Sequence, residues 1–304
     1  MKTIRKQVQQ IGRISLVQFE TLEGEGMAFL PAAPAMEKGD LVIREVRQEG
    51  SVNTLLAINP TVNYYLLTDM DLLKGAKQNR VVNRSILVAP RSKQEIEVSC
   101  VERSRWSYDS PTFRPGPEVM DTRMRAAKAD SLRMEKEGSE LQSRSAESTQ
   151  SKIWGLIRDE MVTHNFLSET EDYTSILDHK KEGSRTMQKF IFESECNGMA
   201  LYDERKLISF DVFGNRQVYE YYFDKLAGNA LLHPGTPAKA DLPGEAELFY
   251  RLDEFLDLFE SGLKDGVQDG SARIGSLRWS GIPENPGFEL TCQSQLVHMA
   301  GFSV

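Results

Sequence analysis

A strand that ends on an inward-facing carboxylate constrains this chain more than any other stretch. From Glu95 to Glu102 the residues alternate, with Ile96, Val98 and Cys100 on one face and Glu95, Glu97 and Ser99 on the other. Continuing that period, Glu102 leaves the strand on the apolar side. A buried carboxylate must find a cation or a set of donors, or it takes up a proton. Arg80, Arg84 and Arg105 are nearby candidates in sequence, and Trp106 can wall the place from water. A second buried strand, Ile86 to Ala89, precedes it and stops at Pro90, which cannot donate to a ladder.

Gly75 opens a polar block ahead of these strands, and Gln78, Asn79, Arg80, Asn83 and Arg84 bring amides and guanidinium groups together within it. Two readings follow. In one, Glu102 and an arginine form a buried ion pair that fixes the strands, and Asn79 and Asn83 cap turns. In the other, the Gln-Asn-Arg and Glu-Arg-Trp ends converge on a concave site for a polar ligand. There Arg suits a phosphate or carboxylate, the amides suit hydroxyls or a base edge, and Trp106 offers a stacking face.

The segments EGSVNTLLAIN, GAKQNRVVNRSILVAP and VSCVERSRW resemble those of the ADP-ribosylglycohydrolase and rhodanese-phosphatase-superfamily-associated protein domain, a prokaryotic family. ISFDVFGNRQVYEYYFDKLAGNALL and LVHMAGF fit the same family in order and spacing, so the resemblance runs from about Gly39 to Phe302. Its most specific part is Gln78-Asn79-Arg80 with Cys100-Val101-Glu102 and Arg105-Trp106. The family pattern carries a Gly-Glu pair before the block, where this chain has Thr68-Asp69-Met70-Asp71, and a Gly where Ser104 stands. The resemblance implies a ligand class, nucleotide-like or ADP-ribose-like, and no particular reaction.

Composition narrows the classes. A chain of 304 residues can bury a sizeable core, and 40% hydrophobic with 27% charged residues is the balance of a soluble globular protein. A formal charge of −8 excludes a nonspecific grip on nucleic-acid backbone while leaving room for a local basic pocket. Cys100, Cys196 and Cys292 are too scattered for a disulfide framework or a cysteine-rich zinc site. MKTIRKQVQQIG has no apolar run of signal-peptide length, and no segment reaches a membrane span, so a cytoplasmic protein is expected.

Taken in order, Ile14 to Leu30 holds two apolar runs around LEGEG; Gly24 and Gly26 lack the context of a dinucleotide loop. Pro31 and Pro34 break the chain. Leu41 to Val46, Val52 to Ile58 and Tyr64 to Leu67 read as strands with short antiparallel connections. SYDSPTFRPGPE reads as loop. Glu118 to Lys152 is charged with sparse apolar residues, which predicts a solvated helix or partly disordered arm, with Arg123 and Arg125 on its face. Ile153, Leu156, Ile157 and Met161 form a helical stripe ending at His164-Asn165. Tyr173 to Glu193 holds a further helix or helix pair, with Met187, Phe190 and Ile191 on one face.

A hairpin, Met199 to Tyr202 and Leu207 to Phe210, leads to Asn215 as N-cap of a helix bearing Tyr219, Tyr222, Phe223, Leu226, Ala227 and Ala230, stopped by Pro234. Asp211 caps that region or reaches the pocket. Leu248 to Phe259 is a second amphipathic helix. Ala272 to Trp279 and Phe288 to Val297 pair as a closing hairpin, which turns His298 inward as a hydrogen-bonded core residue or an acid/base.

No HExxH, CxxC, GxSxG or P-loop pattern occurs, and His164, His179, His233 and His298 lie far apart, so no metal site is implied and the cofactor stays open. The sequence predicts one α+β domain over 1–304. Mixed or antiparallel β-structure occupies 1–115 and the C-terminal hairpins, 116–195 is mainly helical, 196–304 is α+β, and about four helices pack on the strands. Ligand contacts fall to Gln78, Asn79, Arg80, Asn83, Arg84, Arg105 and Trp106, with Glu102 and then His298 as candidate bases. The competing reading is a non-enzymatic scaffold whose polar block is a structural network and whose partner binds through 118–152.

Overall fold

The computed structural model describes residues 1–21, 26–47, 50–138, 148–183, 188–232, 242–270 and 273–303. The fold is α+β, with six helices and a preponderance of antiparallel strand pairs among those residues. Contacts divide it into two compact units: residues 1–28, 132–138 and 185–304 form one, and residues 29–131 and 139–184 the other. Gly24, Met187, His233, Pro234 and Ala272 lie outside the described residues.

The second unit is built on a closed six-stranded barrel. Going round it, Ser92–Cys100 neighbours Thr54–Asn59, then Val42–Glu45, Phe113–Val119, Asp71–Gly75 and Arg80–Val82, which returns to Ser92–Cys100. Alternation places Leu41, Ile43, Leu55, Ala57, Leu73, Val82, Ile96, Val98 and Phe113 in one buried cluster, while Glu95 stays exposed. Tyr65–Leu67 joins Leu30–Pro31 and Ile86–Val88 in a small separate sheet whose inward residues extend the same cluster. Helices Thr149–Thr163 and Tyr173–Gly183 complete the unit, the first ending at His164-Asn165 as its sequence indicates.

Three expectations fail here. The Pro-rich stretch after Trp106 is not all loop, because Phe113–Val119 is a barrel strand. Its prolines are tolerated because the pairing with Asp71–Gly75 breaks register between Pro115 and Val119, and Gly116 lies where a Cβ would come within 2.9 Å of Leu72 Cβ. Pro31 and Pro34 do not merely break the chain: Ala32–Lys38 is a short helix with Pro34 in its first turn, where no amide donor is needed. The charged segment that follows is not a solvated arm either. Thr122–Glu137 is a helix burying Met124, Ala129 and Leu132 together with Arg125 and Lys128. Residues 139–147 of the expected arm lie outside the described residues.

The first unit is an eight-stranded antiparallel sheet ordered Thr3–Ile11, Ile14–Thr21, Gly198–Asp203, Lys206–Phe213, Gln295–Phe302, Gly287–Cys292, Ser276–Trp279 and Val267–Asp269. Helix Glu245–Lys264 lays Leu248, Leu252, Phe255, Leu256 and Phe259 on it, and helix Arg216–Ala230 is capped by Asn215, which accepts from the Gln217 and Val218 amides. The run Phe288 to Val297 is not one strand. Gln293 and Ser294, both at positive φ, fold it into a tight hairpin. The helix expected to reach Glu193 stops at Gly183, and Phe190 and Ile191 lie in irregular chain. No helix among the described residues is long and apolar enough to cross a membrane.

Candidate functional site

The turn that joins Asp71–Gly75 to Arg80–Val82 organises one end of the barrel. Gly75 adopts φ 114°, where a Cβ would fall 2.3 Å from Ser110 Oγ, and Ala76 follows at φ 42°. Asn79 Oδ1 accepts from the Gly75 amide at 3.0 Å and closes the turn. The Asn79 amide donates to Glu102 Oε2 at 3.0 Å, and its Nδ2 donates to Asp172 Oδ1 at 3.1 Å. Arg105 grips Glu102 with two parallel bonds, Nε to Oε1 at 2.8 Å and Nη2 to Oε2 at 2.7 Å, and its Nη1 reaches the Ala76 and Ser107 carbonyls. Burial works against the Arg105 charge, but the bonds and charge of Glu102 outweigh it and raise its pKa. Both oxygens of Glu102 are thus occupied, and the group knits turn, strand end and helix start together.

Beside this closed network lies an open one. Arg80 is fully buried, and its Nη1 donates to Gln78 Oε1 at 2.8 Å, while Gln78 Nε2 donates to the Arg103 carbonyl. Among the described residues, Arg80 Nε and Nη2 have no hydrogen-bond partner. Desolvation lowers its pKa, partly offset by neighbours that include Glu45 and Glu102. The guanidinium sits 5.8 Å from the Trp106 ring centroid, and Lys77 Nζ lies 5.3 Å from the same ring and 5.2 Å from that of Tyr108. Trp106 and Tyr108 remain 47% and 49% exposed, so about half of each side chain meets solvent next to these cations.

Glu45 completes the arrangement. It is buried, its Oε2 accepts weakly from the Ser51 amide at 3.4 Å, and its Oε1 has no partner among the described residues. Gly50, at φ 83°, fits where a Cβ would meet Lys77, Trp106 and Glu45 Oε2 within 3.6 Å, which places those three side chains around one point. An open cleft of about 730 Å³, lined by Arg44, Glu45, Arg47, Tyr108, Asp109, Ser110 and Pro111, shares Glu45 and Tyr108 with this group of side chains. That volume suits a small ligand.

The structure therefore divides the residues singled out from sequence. Gln78, Arg80 and Trp106 stand together at the open network, and Asn79, Glu102 and Arg105 form the closed one. Asn83 and Arg84 lie toward the other end of the β-pairing, where Arg80 faces Cys100 but the Asn83 amide reaches the Glu97 carbonyl. Asn83 Oδ1 accepts from Ser99 Oγ at 2.7 Å, and Arg84 pairs with Glu97 at 3.1 Å. His298 lies in the sheet of the first unit, fully buried, 3.4 Å from Asp211 Oδ1 and stacked on Phe213 at 4.5 Å. Asp211 lies inside the strand Lys206–Phe213 with its carboxylate next to His298, and the cap of the following helix is Asn215.

Sequence reasoning missed Glu45, Lys77 and Tyr108. Glu45 was within reach, since Leu41, Ile43 and Glu45 share a period of two; Lys77 and Tyr108 meet only because their two loops fold together. A further buried group also escaped it. Arg125 holds Asp69 through Nε and Nη2 at 2.9 and 3.1 Å, and Lys128 donates to the Asp69 and Val82 carbonyls. Desolvation pushes the Lys128 pKa down to about 7. The three cysteines are free and buried, and no cluster of His, Cys, Asp and Glu among the described residues could hold a metal ion.

Compared with known families, residues 4–302 match the model of the ARG and Rhodanese-Phosphatase-superfamily-associated Protein domain. No curated protein and no solved structure matches the chain.

Proposed function

We propose, from the premise that this chain belongs to the ARG and Rhodanese-Phosphatase-superfamily-associated Protein domain family, that its barrel unit binds a nucleotide-like or ADP-ribose-like ligand. The observation that carries the reading is the Arg80 guanidinium, buried with two of its nitrogens unpartnered among the described residues. A fold gains nothing by leaving such donors unsatisfied, whereas an incoming oxyanion would take both. Trp106 and Tyr108 would stack a base, and Lys77, Arg44 and Arg47 would add positive charge around the cleft. Gln78 holds Arg80 in place. Glu102 and Arg105 hold the turn, and with both its oxygens engaged Glu102 is assigned no proton to move. Asn83, Arg84 and His298 take no part in this reading. Three free, buried cysteines accord with work in the cytoplasm.

The scaffold reading draws its support from the closed Asn79–Glu102–Arg105 network, and the family's name fits a protein partner. Thr122–Glu137 would contribute little to such a contact, since most of its apolar residues are already buried. A thermal-shift screen with ADP-ribose, AMP, NAD and sugar phosphates separates the two. A ligand at one hundred times its Kd stabilises the native state by about 2.7 kcal/mol, an easily read shift. A flat response across the panel rules out the binding function and leaves the scaffold.

A further inference from the structure

Several other buried charges among the described residues are paired: Asp69 has Arg125, Glu160 has Lys180 at 2.9 Å, and Asp211 has His298. The barrel end differs because, among the described residues, buried donors and a buried acceptor that feel each other's charge are both left open there. Arg80 offers two buried N–H nitrogens, and Glu45, which lines the cleft, offers one buried carboxylate oxygen. Both lie near Trp106: a Cβ on Gly50 would come within 3.3 Å of that ring and 3.6 Å of Glu45 Oε2, and the Arg80 guanidinium is 5.8 Å from the ring centroid. A simple anion would satisfy Arg80 and repel Glu45. A neutral aromatic would satisfy neither.

We infer that the buried end of the ligand is a ribose with a free hydroxyl next to an anionic oxygen, the hydroxyl donating to Glu45 Oε1 and the anion accepting from Arg80. This rests on the binding function proposed above and narrows it to ribonucleotides, with Glu45 as the residue that rejects deoxy sugars. A base edge is a poorer match to Glu45. Oε2 already receives the Ser51 amide, which leaves a single oxygen, where a guanine edge asks for two. In a nucleotide, moreover, the group beside the phosphate is the sugar, so one sugar phosphate answers both needs at once, while the base is left to Trp106 and Tyr108.

Isothermal titration of the full chain with AMP, 2′-deoxy-AMP, 3′-deoxy-AMP, ribose 5-phosphate and inorganic phosphate tests this. Loss of a hydrogen bond to a buried charged group should weaken at least one deoxy analogue by about 10- to 100-fold relative to AMP. Ribose 5-phosphate should bind where phosphate alone does not. In Glu45→Gln the AMP-to-deoxy ratio should fall to within about threefold, because the charge that sets the discrimination is gone. AMP and both deoxy analogues binding equally well to the unaltered protein overturns the inference and leaves the binding function standing. No binding by any of the five overturns the inference, and the binding function falls with it only when ADP-ribose and NAD also fail to bind. If Glu45→Gln does not fold, the comparison on the unaltered protein decides alone.

Discussion

Replacing Glu102 by Gln separates a structural carboxylate from a catalytic one. The side chain is 5% exposed and receives three strong bonds, two from Arg105 and one from the Asn79 amide. A Gln keeps one acceptor and turns an amide donor on the guanidinium. Breaking a fully buried ion pair costs about 3–5 kcal/mol. Arg105 is 19% exposed, so water can replace part of the loss, which lowers the expected cost to about 2–4 kcal/mol. For a chain of this size that corresponds to a fall in Tm of about 4–16 °C. Urea unfolding followed by circular dichroism gives the value directly. Arg105→Met and the double variant complete a cycle, and the double variant should lose less than the sum by about 1–3 kcal/mol. Stability of Glu102→Gln within about 0.5 kcal/mol of the unaltered protein, together with lost ligand response, would refute the structural role.

Two further outcomes follow from the same coordinates. Lys128 has a folded pKa of about 7, below its ordinary value of 10.5. The unfolded chain therefore binds more protons between those values, so stability should climb with pH from about 7 to about 10.5 and level off above. Lys128→Met should flatten that slope in unfolding curves taken at several pH values, and an unchanged slope contradicts the assignment. Gly75→Ala should cost about 2–4 kcal/mol, since φ 114° is strained for any side chain and the Cβ collides with Ser110 Oγ. A melting temperature equal to that of the unaltered protein would show the turn to be more pliant than its geometry implies.

How much of this the sequence carries depends on how local the cause is. The strands Thr54–Asn59 and Ser92–Cys100 and the helices Arg216–Ala230 and Glu245–Lys264 follow from periodicity and, for Arg216–Ala230, from the Asn215 cap. The inward turn of Glu102 followed from the same alternation. Phe113–Val119 was illegible because its prolines sit in a bulge that only the partner strand explains. The Gln293-Ser294 turn carries no Gly or Asn to announce two positive φ values. Thr122–Glu137 looked solvated because Arg125 and Lys128 count as polar until Asp69 and two carbonyls are seen around them. At the candidate site, Arg80 and Trp106 stood out by type. Their separation from Glu102, which looked like their natural partner, came from Arg105 reaching that carboxylate first.

The central claim is that Arg80 is kept for a ligand and not for the fold, and calorimetry on Arg80→Met with ADP-ribose as probe tests it most directly. With two buried nitrogens unpartnered among the described residues, the substitution should leave the unliganded protein as stable as before or up to about 2 kcal/mol more so. It should also weaken ADP-ribose binding by at least about 100-fold, the loss expected for a buried charge on an oxyanion. Undiminished affinity in Arg80→Met, or a collapse of stability without ligand, would contradict it.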